Sequence, residues 1–456
     1  FTAISEALKE QPEVLAEVIN TLLTELTNDI LECGGTIDKY MGDCIMAFWN
    51  APVENPKHAE LAVEAAQKMM KTIYKVNDKI SAQGTLSFDL RIGIGVATGE
   101  CVVGNMGAKQ RFDYTVLGDV VNLASRLPKT YFFEDKEQDL ASALEHFKTD
   151  GLIVLHQGDM LYENYWNNNS VASKHIAFSV SKSFLSALIG IAVHDGLIDN
   201  IEDPITKYLP DFNGTGYEGV SIKNILQMSS GVEFNEDYAD PQSDINKFGR
   251  AVAKGTSFRD FSKTLKQSRE PGTYHHYVSI DTQVLGFLLS EVTGMPIRDY
   301  LYQKIWNKIG MESDAYYIVD NTGMEMALGG LNASLRDFAK FGLLYLNNGK
   351  WGNEQVVPAD WVKASYNPDG PHLKPGESDL SSSVWGYGLQ WWVPGFPETD
   401  FTASGVYNQY IYVDPISKVI IAKTSSNHRF TAEKEYSKAA HVAMFRSIAK
   451  SIVSNE

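Results

Sequence analysis

At 456 residues the chain is about three times the ~150 of a typical single domain, so two or three domains are expected. Its 44% hydrophobic and 21% charged residues match soluble globular proteins and exclude a disordered chain. With 40 Lys+Arg against 57 Asp+Glu, the net charge of -17 repels phosphate backbones and anionic lipid, so no nucleic-acid or membrane partner is expected, and a small molecule is.

The first residues carry neither the basic start nor the apolar stretch of a secretory signal, and no run of about 18 apolar residues follows. Three cysteines, Cys33, Cys44 and Cys101, are too few for a disulfide or zinc framework, so a reducing cytoplasm is the expected setting. All three precede residue 102, whereas seven of the eight tryptophans lie beyond residue 165, which marks a seam between two regions.

In the first region, Glu13–Leu31 has the apolar spacing of an amphipathic helix, which Gly34-Gly35 ends. Thr36–Tyr40 and Cys44–Phe48 flank Met41-Gly42-Asp43 as a hairpin with an acid at its tip. A second helix is predicted from about His58 to Ile80, then paired strands at Leu90–Ala97 and Cys101–Val103.

The second region opens on a hairpin, Leu152–His156 and Met160–Trp166 around Gln157-Gly158-Asp159. It closes on Gln409–Val413 and Val419–Thr424 around Asp414-Pro415, then a helix from about Ala432 to Val453. The economical architecture is one sheet built from both ends of the region, with helices on its faces and a helical insertion.

The chemistry starts at Phe178-Ser179-Val180-Ser181-Lys182-Ser183, which leads into an apolar helix ending near Gly196. Three residues apart at a helix start, Ser179 and Lys182 share a face, so the amine can reach the hydroxyl as its base. The helix start and apolar surroundings both disfavour the ammonium. Spacing alone leaves Ser179 readable as a helix cap, and Ser447-Ile448-Ala449-Lys450 repeats the spacing on a polar, solvent-facing helix.

Two further segments follow in order, Pro271-Gly272-Thr273-Tyr274-His275-His276-Tyr277-Val278-Ser279 and Ala403-Ser404-Gly405-Val406. With Ser179 they resemble the three-part pattern of the serine β-lactamase-like superfamily, which includes penicillin-binding peptidases, class C β-lactamases, family VIII carboxylesterases and 6-aminohexanoate-dimer hydrolases. The resemblance spans about 130–456 and extends to Leu226-Gln227-Met228-Ser229-Ser230-Gly231, Gly329-Gly330-Leu331 and Trp385-Gly386-Tyr387-Gly388.

It implies an antiparallel sheet flanked by helices with a helical subdomain. Ser179 would be the acylated nucleophile, Lys182 its base and Tyr277 the phenol that passes the proton on, with the backbone N–H groups of Ser179 and Val406 as oxyanion hole. Tyr277 taken alone is also readable as a packed aromatic. Ser279, Ala403, Ser404 and Gly405 would line the substrate pocket.

Where β-lactamases carry Tyr-x-Asn this chain has Ser279, and where they carry a basic residue before Thr-Gly it has Ala403. Both changes remove recognition groups, so the resemblance is closer to the 6-aminohexanoate-dimer hydrolases, and a short acyl ester or linear amide is the expected substrate, with no cofactor. A non-catalytic peptide-binding module on the same fold is the alternative. His275 and His276 are expected as exposed loop residues. Trp385, Trp391 and Trp392 either wall the acyl site or are core.

Residues 1–127 resemble the catalytic domain of class III adenylate/guanylate cyclases, on Phe1-Thr2-Ala3-Ile4-Ser5-Glu6, Gly34–Asp43, Gly99–Gly107 and Arg111–Arg126. The resemblance implies a ferredoxin-type α/β sandwich. Asp43 would hold Mg, Lys39 and Thr115 would select adenine, and Asn122 with Arg126 would stabilise the transition state. Two Mg ions need carboxylates from two places. The family's other metal Asp lies before its Phe-Thr and its phosphate lysine follows the segment at which this chain turns into the hydrolase. An inactive or regulatory domain with low cyclase activity is therefore expected, with a homodimer through it as a further expectation. The alternative is an adenylate cyclase signalling protein completed by sequence upstream. In sum, the sequence predicts an α+β chain with a truncated cyclase-like domain at 1–127 and a β-lactamase-like serine hydrolase at 128–456.

Overall fold

The computed structural model describes residues 4, 7–82, 86, 88–90, 92–108, 111–117, 130–395 and 399–453. The chain folds as two units, 1–126 and 127–456.

In the first unit, α1 (Pro12–Glu32) begins with a proline in its first turn, where the missing N–H costs nothing, and stops before Gly34, whose φ is 73°. Its Val18, Leu22 and Leu26 lie on one stripe and pack with Ile73, Val76 and Ile80 of α2 (His58–Ala82). Between the helices, β1 (Thr36–Met41) and β2 (Cys44–Phe48) form the expected hairpin around Gly42, at φ 65°.

The next pair differs from expectation. Among the described residues of 90–97 none lies in a strand; instead β3 (Val102–Ala108) pairs with β4 (Arg111–Leu117). At the start of that segment the Asn77 side chain accepts from Leu90 N at 2.7 Å and donates to Leu90 O at 2.9 Å. Those two backbone groups are satisfied without a ladder.

The second unit is organised by β5 (Thr149–His156), β6 (Asp159–Tyr165), β7 (Gly386–Tyr387), β8 (Trp392–Val393), β9 (Phe401–Gly405), β10 (Gln409–Asp414) and β11 (Val419–Ser425). They form one seven-stranded antiparallel sheet in the order β7-β8-β9-β10-β11-β5-β6, so both ends of the unit meet in it.

Alternate residues face opposite sides, as the strand repeat requires. Ile153, Leu155, Ile411, Val413 and Ile420 join the core of α3 (Ser181–His194), α4 (Ser279–Thr293) and α5 (Leu335–Leu346). Leu152, Val154, Tyr410, Tyr412 and Ile421 pack under Met444, Phe445, Ile448 and Ile452 of α6 (Lys434–Val453).

Helix α3 is buried nearly all round, which suits a central position rather than a surface one. Phe184 stacks on Phe341 of α5 at 3.7 Å, and its serines turn inward, Ser183 donating to Gln390 O at 2.7 Å and Ser186 to Leu389 O at 2.8 Å. The first turns of α3 are thereby fixed against the connection between β7 and β8. None of the described helices is long and apolar enough to cross a membrane.

Candidate active site

Ser179 sits in a 3-10 turn, Phe178–Val180, that runs directly into α3. Phe178 before it has φ 45°, a left-handed conformation that costs about 1–3 kcal/mol for a side chain of this kind. Tyr407 stacks on the Phe178 ring at 5.1 Å, which helps to hold the strained turn. The end of β9 closes against the same turn. A Cβ on Gly405 would stand 2.7 Å from Ala177 O and 3.2 Å from Ser179 N, so glycine is required for the strand end that carries Val406 to reach the Ser179 amide.

One helical turn on, Lys182 is fully buried, and its Nζ donates to Ser179 Oγ at 3.3 Å and to the carbonyl of Leu328. Burial is the main cause that lowers the amine to about 8; Glu236 and, where it is ionised, Asp281 pull the other way.

Tyr277 lies in the loop before α4. Its hydroxyl interacts with Ser179, its ring stacks on Trp392 at 5.3 Å, and the Lys182 amine stands 5.4 Å from its ring centroid. Burial, then the charge of Glu236, raises the phenol well above its ordinary value, so it is held as a donor. The three polar tips predicted from sequence therefore meet.

Two acids that sequence reasoning missed complete the surroundings. Glu236, on the loop after Phe234, accepts from Ser279 N at 3.0 Å, Ser279 Oγ at 2.5 Å and Tyr238 OH at 2.9 Å. Asp281 is fully buried, accepts from Tyr217 OH at 2.9 Å, and is raised to about 8 chiefly by burial. Glu236 lies in an aperiodic loop and the Leu328 acceptor is a carbonyl, so neither has a signal in spacing. Asp281 could have been noticed as an acid two residues after Ser279 in an apolar helix.

The predicted pocket residues divide. Ser279 and Ala403 are buried, the former with its hydroxyl directed to Glu236, and Gly405 is closed against the turn. Ser404 keeps partial exposure and interacts with Tyr410.

Other expectations need correction. His275 is not an exposed loop residue: it is buried, bonds Ser381 Oγ at 3.0 Å, and is lowered to about 3 by burial, so it stays neutral. The 378–383 segment covers it, with His275 N donating to Leu380 O and Ser382 N to His275 O. His276 is partly buried, with a ring nitrogen 2.8 Å from Phe234 O. Trp391 is core, packed on Tyr345 at 4.5 Å, whereas Trp392 backs Tyr277 and Trp385 lies beside Trp392.

In the first unit, Lys39 and Thr115 converge on one group: Asp38 accepts from Thr115 Oγ1 at 2.5 Å and pairs with Lys39 at 3.3 Å. Asn122 and Arg126 lie outside the described residues. Asp43 is exposed at the hairpin tip, and the other hairpin acid, Asp38, is taken up by Thr115 and Lys39. Among the described residues no group of three or more His, Cys, Asp or Glu side chains could hold a metal.

An antiparallel sheet with helices on both faces and a buried lysine at a serine-bearing turn define a β-lactamase-type domain. The chain belongs to the beta-lactamase family, whose model matches residues 138–443. The model of the adenylate and guanylate cyclase catalytic domain matches residues 1–131, so a cyclase domain precedes the hydrolase-type one. Over 312 residues the chain is 30% identical to the 6-aminohexanoate-dimer hydrolase of Paenarthrobacter ureafaciens, covering 67% of this chain and 76% of that one. A solved structure assigned as a 6-aminohexanoate-dimer hydrolase from Bacillus anthracis superposes with a TM-score of 0.63 at 25% identity, covering 72% of this chain and 86% of that one. The front is 39% identical to adenylate cyclase 1 of Rhizobium meliloti over 127 residues, 28% of this chain and 18% of that one.

Proposed function

We propose that the second unit hydrolyses short acyl esters or linear amides through an acyl-enzyme on Ser179. The observation that carries this reading is the buried Lys182 amine 3.3 Å from Ser179 Oγ, with the Tyr277 phenol beside it and interacting with the same serine. Neutral Lys182 takes the Ser179 proton as Oγ attacks the carbonyl carbon, and the oxyanion forms beside the amides of Ser179 and Val406. As the carbon–leaving group bond breaks, Tyr277 gives its proton to the departing atom and recovers one from the Lys182 ammonium. Water then attacks the acyl carbon with the same groups acting in reverse, which returns the proton to Ser179. No cofactor enters these steps.

The substrate class rests on Ala403, which offers no cation to a β-lactam carboxylate, and on Ser279, whose hydroxyl is bound to Glu236. The name of the Paenarthrobacter relative, a hydrolase of a linear amide dimer, supports the same class. Purified protein assayed against p-nitrophenyl esters, linear amides and nitrocefin should turn over the first two and leave nitrocefin slowest; nitrocefin as the fastest substrate would reject the assignment. For the cyclase domain we favour a regulatory role, because its hairpin acids are separated into an exposed Asp43 and an Asp38 bound to Thr115 and Lys39.

Glu236 supplies a second check. Its charge raises the Lys182 amine, so Glu236→Gln removes that influence while keeping side-chain size. The neutral amine should persist to lower pH, and the acid limb of the kcat/KM profile should move to lower pH; a limb that stays or moves upward contradicts the geometry.

A further inference from the structure

Helix α6 reaches the site through its aromatic backing. Val442 packs into a cluster with Trp385, Tyr387 and Trp392, against which Tyr277 lies. One turn earlier on the same face, Lys438 holds its amine 5.0 Å from the Trp392 ring centroid and 5.5 Å from that of Trp385. The two indoles meet at 74°, so the amine occupies the corner between them. The helix itself is anchored beside it, because Ser437 is buried and accepts from Asn408 Nδ2 at 3.2 Å.

Trp392 also carries Tyr277: the two rings are within 18° of parallel at 5.3 Å, and Tyr387 closes the arrangement edge-on to Trp392 at 4.7 Å. The Tyr277 ring therefore depends for its orientation on an indole that is itself held by a cation. A cation over an indole face is the strongest form of this contact and strengthens as water is excluded; the same burial lowers the Lys438 amine from its ordinary value, and the charge of Glu435 opposes that shift.

We propose that Lys438 is a positioning residue for proton delivery: by fixing the Trp392 ring on which Tyr277 stacks, it fixes the phenol hydroxyl against Ser179. This rests on the acyl-enzyme reading above. A poorly aimed proton donor matters little when the leaving group departs unaided and matters greatly when it is basic. The role therefore has a signature that loss of packing alone does not produce.

The test compares esters of one acyl group with p-nitrophenol, phenol and a primary alkanol as leaving groups, measured as kcat/KM. Lys438→Met and Lys438→Gln remove the charge, and Lys438→Arg keeps it over the rings; folding is checked by thermal melting. The uncharged variants should lose about tenfold on the alkyl ester and less than about twofold on the p-nitrophenyl ester, with Arg restoring the alkyl ester to within about twofold. An equal loss on all three esters, no loss on any, or failure of Arg to rescue would overturn the proposal. Ser179→Ala run beside them separates the two ideas. If it stays active, the acyl-enzyme reading fails; if it is inactive while the Lys438 variants lose activity uniformly, only the positioning role fails.

Discussion

Ser179→Ala is expected to abolish ester turnover, with a loss of about 10⁴-fold or more, because removing the nucleophile of a serine hydrolase leaves only binding and oxyanion contacts. Its side chain is partly exposed at the end of a strained turn, and alanine fits the same backbone. Binding of a substrate analogue should survive the change. The same variant should melt within a few degrees of the parent, since the hydroxyl contributes one 3.3 Å bond from a buried amine and one contact with Tyr277. Turnover by the folded variant at more than a few per cent of the parental rate would remove Ser179 from the mechanism.

Lys182→Met should cost about 10²–10⁴-fold in kcat/KM, the range ascribed to a positioned general base. It should also remove the acid limb of the pH profile. In the parent the active form is the neutral amine, and burial lowers that amine to about 8, so kcat/KM should rise with pH and reach half its plateau near pH 8.

The same shift makes a statement about stability. The folded state disfavours the ammonium, so the cost of burying it is present in full below about pH 8, where both folded and unfolded chains carry the proton. It is relieved as pH rises toward the unfolded value of 10.5. This cost is on the order of a few kcal/mol at neutral pH, offset in part by the bonds to Ser179 and Leu328. Lys182→Met should therefore lose activity by that factor and yet melt no lower than the parent at pH 7. A variant within about tenfold of the parent in kcat/KM, or one that is grossly destabilised, contradicts the assigned role.

What sequence could reveal follows from the physics of each element. The amphipathic α1 and α2, the hairpin at Gly42 and the strands at both ends of the second unit carry their periodicity in their own residues. The spacing of Ser179 and Lys182 likewise encodes proximity, because one helical turn joins them. Tyr277 was legible only through the ordered motifs that accompany it.

The remainder depends on contacts between distant segments. Leu90 has both its backbone groups bound by the side chain of Asn77, thirteen positions away, rather than by a strand partner. His275 is neutral because the 378–383 segment covers it, and nothing near it in sequence announces that cover. Glu236 reaches the site through a loop with no repeat, yet its charge bears on both Lys182 and Tyr277. The lysine was recognisable from the pattern; the balance of burial and acid that tunes it was not.

The central claim is that an acyl group passes through Ser179, and trapping that intermediate tests it most directly. Protein mixed with a slowly deacylating ester at pH 8, quenched in acid and digested, should yield one peptide heavier by the mass of the acyl group, with the modification on Ser179. The Ser179→Ala variant should yield none. Turnover accompanied by no adduct, or by an adduct on another residue, would contradict the account.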